Sequence, residues 1–95
     1  LWSASALGLA LLPIPTFAQE ATAALMEPGP LPEQSFGSAD APVTVIEYAS
    51  LTCGHCRNFH LTTWPALKEK YVDTGRVRFI IREFPFDPRA SAGFM

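Results

Sequence analysis

The hydrophobic residues of this chain form two short continuous runs with a stretch of helical periodicity between them. The runs, Val43–Ala49 and residues 77–84, are rich in β-branched and aromatic side chains. Runs that are apolar on both faces are typical of parallel strands in a sheet that is covered on both sides. The pattern therefore predicts two buried β-strands.

Residues 53–73, between the two runs, place apolar side chains at the spacing of an amphipathic helix. We expect Thr52 to cap this helix at its N-terminus and Gly75 to end it. Pro65 lies in its middle and is expected to kink it or to start a new segment. The apolar face consists of Cys56, Phe59, Leu67 and Tyr71, widened by Leu61 and Trp64.

A strand, a helix and a strand of these lengths predict a βαβ unit with parallel strands, and hence an α/β fold. One helix covers only one face of such a sheet, so the other face requires further elements. Residues 86–95 have the composition to begin another helix. We therefore interpret residues 42–95 as the N-terminal βαβ part of a larger domain.

The first 41 residues differ from the rest in composition. Residues 1–18 carry no charge and end in Thr16-Phe17-Ala18, which places small residues where a signal peptidase reads them. Two prolines interrupt this apolar stretch, which is also short for a membrane span. We predict a secretory signal peptide over residues 1–18, although the basic region that usually begins such a peptide is missing. Residues 19–41 are predicted to be a Pro-rich linker or N-terminal extension.

The charge balance excludes one class of partner. Seven basic and nine acidic residues give a net charge of −2, and no basic cluster is present in the sequence. Nucleic-acid-binding proteins usually carry a basic patch or stripe. We therefore expect no nucleic-acid partner.

The two cysteines of the chain, Cys53 and Cys56, lie three residues apart where the first predicted strand gives way to the helix. A thiol at the first turn of a helix meets unpaired backbone N–H groups and the positive end of the macrodipole. Both stabilise the thiolate, which is the nucleophile in disulfide exchange. The spacing places the second sulfur on the same side of the helix. This arrangement indicates a reversible dithiol/disulfide pair.

Three other roles are open to a cysteine pair of this spacing. A structural disulfide across so short a loop adds little stability. A metal site of Cys53, Cys56 and His60 lacks the fourth ligand of a closed zinc site, although a metallochaperone module remains an alternative. Covalent haem attachment requires a histidine directly after the second cysteine, where this chain has Arg57.

A carboxylate, Glu47, interrupts the first apolar run shortly before the cysteines. A lone buried carboxylate is costly unless it is paired or protonated. Two roles are compatible with this position and equally supported. Glu47 can serve the cysteine chemistry, and it can form a salt bridge with a base on the neighbouring strand, such as Arg82.

Several segments together resemble the DsbA-type periplasmic thiol:disulfide oxidoreductases of the thioredoxin superfamily. Cys53-Gly54-His55-Cys56 is followed by Phe59, and the resemblance extends over roughly residues 37–90. The other matching segments are Asp40-Ala41-Pro42-Val43-Thr44-Val45-Ile46-Glu47-Tyr48, Gly75-Arg76-Val77-Arg78 and Arg82-Glu83-Phe84-Pro85.

The resemblance implies roles for five residues. Cys53 is the exposed sulfur that attacks and is attacked, and Cys56 is the buried resolving sulfur. His55 stabilises the Cys53 thiolate, and Glu47 accepts or returns the proton of Cys56. Gly54 stands where the best-known DsbA proteins have proline, so an isomerase or reductase remains an alternative.

The resemblance also implies a biological setting. It predicts a periplasmic enzyme that forms disulfides in reduced exported proteins and is reoxidised by a membrane quinone-linked oxidase. It requires neither a cofactor nor a metal. A helical insert and a cis-proline loop are expected further along a chain of this family. A non-catalytic thioredoxin-like adaptor was the remaining alternative.

Overall fold

The computed structural model describes residues 17–93, so most of the predicted signal peptide lies outside the described residues. Within this range the sheet has three strands in the order β1-β3-β2. The strands are β1 (Gln34–Phe36), β2 (Val43–Ala49) and β3 (Val77–Glu83). The helices are α1 (Phe17–Met26), α2 (Gly54–Thr62), α3 (Trp64–Leu67) and α4 (Pro88–Ala92), and a π-helix over Lys68–Val72 continues α3. None of these helices is long and apolar enough to cross a membrane.

The predicted βαβ unit is present. Strands β2 and β3 are parallel, with Val45 beside Phe79 and Glu47 beside Ile81. The helical connection is interrupted where the Trp64-Pro65 pair predicts, because α2 ends at Thr62 and Pro65 occupies the first turn of α3. After the π-helix, Gly75 adopts a positive φ of 79°, which favours glycine at a helix end.

The segment predicted to be a linker contains regular structure, and in this respect the prediction was wrong. Helix α1 covers part of it, and β1 pairs antiparallel with β3, with Phe36 beside Phe79. Gly37 ends β1 with a positive φ of 91°, and a Cβ there would lie 2.6 Å from the carbonyl oxygen of Val77. Glycine therefore permits the close approach of this segment to the start of β3.

One face of the sheet packs against α2 and α3 through aromatic rings, and we call it the helix face. The ring of Trp64 lies 4.5 Å from that of Phe79 and 5.4 Å from that of Phe36, between centroids. Phe59 of α2 stacks on Phe79 at 6.3 Å. Because side chains alternate along a strand, the register places Glu47 and Glu83 on this same face.

The opposite face carries Tyr48 and Arg82, which lie side by side in the register of β2 and β3. Arg82 Nη2 lies 2.7 Å from Glu33 Oε1, and Arg82 Nη1 donates to the Tyr48 hydroxyl at 3.1 Å. Tyr48 nevertheless remains 48% exposed. Ile80, which the same alternation places on this face, is only 1% exposed. The expectation that one helical layer leaves the other face uncovered is therefore met only in part among the described residues.

Candidate active site

Cys53 is the N-cap of α2. Its backbone is extended (φ −83°, ψ 111°), and its Sγ accepts a hydrogen bond from the backbone N–H of Cys56 at 3.3 Å. The sulfur therefore occupies the position that an oxygen of Ser, Thr or Asp usually fills at a helix start. The expected cap, Thr52, lies one residue too early.

Thr52 has a different role in the structure. Its hydroxyl hydrogen-bonds to the carboxylate of Asp87, and its Oγ1 lies 3.3 Å from Ser50 Oγ. Asp87 is also the N-cap of α4, where its other carboxylate oxygen accepts from the Ala90 N–H at 2.8 Å. The Asp87 side chain thus links the loop before Cys53 to the start of α4. Sequence reasoning missed this residue, because a contact across 35 positions leaves no local signal.

The two thiols have opposite pKa shifts. A hydrogen bond donated by the Cys56 thiol lowers the pKa of Cys53, and the backbone N–H groups of Cys56 and His55 lower it further. The same thiol hydrogen bond raises the pKa of Cys56, and the backbone N–H of Ser50 opposes that rise. The negative charge of Glu47 raises the pKa of both cysteines by a smaller amount. Cys53 is therefore the more readily ionised sulfur.

The exposure of the cysteines differs from what the resemblance implied. Both are free thiols, and both are partly buried, so Cys56 is not the fully buried member of the pair. Cys56 is on the inner side of α2, one turn before Phe59 and His60. Both cysteines border a shallow cleft, lined by Ala49, Ser50, Leu51, Cys53, Cys56, Arg57, His60, Ile81 and Glu83.

His55 and Gly54 form the outer side of the first turn of α2. Both are exposed, and among residues 17–93 the His55 ring makes no hydrogen bond. The contact of His55 with Cys53 is through its backbone N–H, not its imidazole. A Cβ added at Gly54 would meet no atom within 4 Å, so this position tolerates a larger residue.

Glu47 does not pair with Arg82, so that alternative was wrong. The register places Arg82 beside Tyr48 and Glu47 beside Ile81, and adjacent positions along a strand point to opposite faces. Glu47 instead lies on the helix face, where its Oε2 is 2.8 Å from His60 Nε2. The partner of Arg82 is Glu33, from the segment predicted to be a linker.

The alternative metal site is not assembled in the described part of the chain. No group of three or more His, Cys, Asp or Glu side chains converges among residues 17–93. His60, which the alternative required, directs Nε2 at Glu47.

Glu83 is the second carboxyl group on the helix face, beside Ala49 in the register. Burial raises its pKa, because desolvation disfavours the charged form. It lines the same cleft as the cysteines. Sequence reasoning used Glu83 only as part of a resemblance, although its place at the end of an apolar strand was a signal comparable to that of Glu47.

A dithiol with one thiol of lowered pKa at a helix N-terminus, between parallel strands, is the arrangement that thiol–disulfide exchange requires, and here it lies on a thioredoxin-like fold. The family comparison agrees with this class. A sequence model described as Thioredoxin matches residues 31–95, and the chain belongs to this family.

The comparisons also found individual relatives, one of which is named for protein-disulfide chemistry. The chain is 46% identical over 48 residues to a Rickettsia bellii protein that carries the name protein-disulfide oxidoreductase, covering 50% of this chain and 18% of that protein. It is similar to the crystal structure of Wolbachia pipientis α-DsbA1, with a TM-score of 0.62 and 48% identity over 70% of this chain and 33% of that one. Oxidised BdbD of Bacillus subtilis gives a TM-score of 0.56 and 31% identity, over 58% and 30% of the two chains. The chain thus spans a third or less of each of these proteins.

Proposed function

We propose that this chain carries the redox centre of an exported thiol:disulfide oxidoreductase that forms disulfides in other proteins. The observation that carries the proposal is the asymmetry of the two thiols. Cys53 Sγ caps α2 and has a lowered pKa, whereas Cys56 has a raised one. A sulfur whose thiolate is stabilised is a good leaving group, and this favours transfer of the disulfide to a substrate.

The reaction proceeds by two exchanges. A substrate thiolate attacks Cys53 Sγ of the oxidised enzyme, the Cys53–Cys56 bond breaks, and Cys56 leaves as a thiolate that takes up a proton. A second substrate thiolate then attacks the substrate sulfur of the mixed disulfide and expels the Cys53 thiolate. Two electrons pass to the enzyme, and the substrate gains a disulfide.

Three further residues support these steps. Glu47 accepts the proton of Cys56 when the enzyme disulfide re-forms and returns it when the disulfide opens. His55 stabilises the Cys53 thiolate through its backbone N–H. Gly54 sets the redox poise together with His55, since these residues separate the sulfurs. The location of Glu47 on the helix face supports its part in the reaction.

The setting follows from the same interpretation. The substrates are reduced exported proteins, the compartment is the periplasm, and a membrane quinone-linked oxidase regenerates the disulfide. The uncharged apolar start of the chain supports export. The Rickettsia bellii relative named protein-disulfide oxidoreductase supports a protein substrate.

The reduction potential of the Cys53–Cys56 pair tests the proposal against isomerase or reductase activity. Equilibration with glutathione redox buffers measures it directly. A potential more oxidising than that of glutathione supports an oxidase, because the disulfide then passes to substrates. A potential as low as that of thioredoxin would contradict the proposal and assign the site to reduction. Cys56→Ser, which cannot form the internal disulfide, is the control.

A further inference from the structure

The Glu47–His60 pair joins the strand and the helix that enclose the candidate site. Glu47 Oε2 and His60 Nε2 are 2.8 Å apart, and the two side chains are 15% and 32% exposed. His60 lies four residues after Cys56, so both are on the same side of α2. The imidazole and both cysteines line the same cleft.

Neighbouring rings restrict the orientation of the His60 imidazole. The Phe59 ring meets it edge-on with centroids 5.3 Å apart, and the Trp64 ring lies 6.0 Å away. Trp64 is itself packed on Phe79 of the central strand. The imidazole therefore points at Glu47 because the aromatic packing of the helix face holds it there.

We propose that His60 is a positioning residue that holds the Glu47 carboxylate for proton exchange with Cys56 and makes this exchange depend on pH. The inference rests on the proposed function. Because an ionised carboxylate can only accept, Nε2 of His60 donates to ionised Glu47 whether the imidazole is charged or neutral. Protonated His60 adds a positive charge, which stabilises the carboxylate and makes it a weaker proton acceptor. Neutral His60 positions the carboxylate without that penalty.

The step affected is the closure of the enzyme disulfide from a mixed disulfide with a small thiol. Glu47 takes the proton of the Cys56 thiol, and the resulting thiolate attacks Cys53 Sγ. The Cys53–Cys56 bond forms, the bond from Cys53 to the small thiol breaks, and the released thiolate takes a proton. Cys56 is oxidised and the sulfur of the small thiol is reduced.

Other charged groups also face this cleft and must be separated from His60 in a test. They are Arg57 on α2 and Glu83 on β3, together with the two thiols. Arg57 keeps its charge at all accessible pH values. Histidine side chains ordinarily change charge between about pH 5 and 8, which makes a His60 contribution recognisable in a pH profile.

The test is the rate of glutathione release from the Cys53–glutathione mixed disulfide, measured from pH 4.5 to 9 (about the range that brackets histidine titration). We expect an inflection in the wild-type profile that is absent in His60→Gln, which keeps an N–H donor but does not titrate. His60→Leu loses the donor as well. In His60→Leu the rate of glutathione release at high pH should fall about 10-fold. This is less than the ~10²–10⁴-fold that a positioned general base supplies, because the Glu47 carboxylate itself is still present.

A double variant and a control complete the experiment. In a Glu47→Gln background, His60→Gln should have no further effect, because the two act as one unit. Lys68→Gln removes another 2.8 Å ion pair, with Asp73, outside the cleft and should leave the profile unchanged.

Three results would overturn the inference. They are wild-type profiles in both His60 variants, a His60 effect that persists without the Glu47 carboxylate, and an equal effect of Lys68→Gln. A wild-type protein in which Cys56 does not release glutathione at all would overturn the proposed function, and the inference with it. Normal release with unchanged profiles overturns the inference alone.

Discussion

The two faces of the sheet each carry one carboxylate paired with a base, and the two pairs differ in kind. On the helix face Glu47 pairs with His60, an imidazole that can be neutral or positively charged. On the opposite face Glu33 pairs with Arg82, whose charge is permanent. The comparison teaches that the properties of a carboxylate–base pair depend on which base it contains and on which groups lie beside it.

The pair on the opposite face connects chain segments. Arg82 contacts Glu33, the Tyr48 hydroxyl and, through Nη1, the carbonyl oxygen of Leu25 at 2.5 Å. The hydrogen bond to Glu33 raises the pKa of Arg82. These contacts join the segment before β2 to the sheet, 49 residues apart in sequence. In the pair on the helix face, His60 instead lines the cleft that the two thiols border.

Replacing either cysteine should have the largest effect on activity, and the two replacements should differ from each other. Cys53→Ser is expected to abolish disulfide exchange, because Cys53 is the sulfur with the lowered pKa. Cys56→Ser should still react with iodoacetamide at mildly acidic pH and should accumulate mixed disulfides. Peptide mapping by mass spectrometry checks both. Predominant alkylation of Cys56 in the wild type would reverse the assignment.

The aromatic packing of the helix face predicts the largest loss of stability. Trp64→Ala removes contacts with Phe36 and Phe79 and should lower the free energy of unfolding by about 2–3 kcal/mol, less than the ~3–5 kcal/mol of a fully buried Trp→Ala because Trp64 is only partly buried. Urea unfolding followed by circular dichroism measures it. Leu61→Ala near the end of α2, where the side chain is 60% exposed, is the control and should change little. Equal losses in both variants would contradict the packing account.

Arg82→Gln should separate the two ion pairs most directly. We expect a lower Tm, since the contacts to Glu33 and Tyr48 are weakened, and an unchanged pH profile of glutathione release. His60→Gln should show the opposite pattern, with a changed profile and a smaller change in Tm. If Arg82→Gln alters the profile, the two faces are not independent.

Asp87 should confer an acid-dependent stability on the loop before Cys53. The hydrogen bond from Thr52 and then the N–H of Ala90 lower the pKa of Asp87 in the folded state. A lowered carboxyl pKa stabilises the fold above the unfolded value of about 3.9, and this contribution is lost as the pH falls through the folded value. Asp87→Asn should therefore lower Tm at pH 6 and have a smaller effect near pH 3. An equal effect at both values would show that the charge is not involved.

Gly54→Pro should have the smallest effect on stability. Gly54 is the first residue of α2, where proline suits the backbone and no neighbour lies within 4 Å of an added Cβ. We expect a gain of about 0.4–1 kcal/mol from the reduced freedom of the unfolded chain. The free energy of unfolding measures the gain, and Gly29→Pro, outside the site, is the comparison. Destabilisation at position 54 would indicate that its N–H or its backbone freedom is needed.

Much of the candidate site was recognisable from local sequence. The two apolar runs and the helical spacing between them predicted β2, β3 and the intervening helix, and Pro65 predicted the interruption of that helix. The Cys53–Cys56 spacing predicted two thiols in one helical turn. These features depend on neighbours within a few residues, which is why the sequence alone determined them.

The tertiary structure decided the partners. The β2–β3 register places Glu47 and Arg82 on opposite faces of the sheet, with Glu47 on the face of His60. A register shifted by one residue would have placed Glu47 on the same face as Arg82. Strand β1 has only three residues, so no periodicity marks it, and it exists because it pairs with β3. Asp87 reaches Thr52 across 35 positions. Contacts between distant segments, and β1 with them, depend on how the elements pack, whereas β2, β3 and the helix between them depend on their own residues. The sequence by itself therefore determined the two thiols at the helix start, and packing determined what surrounds them.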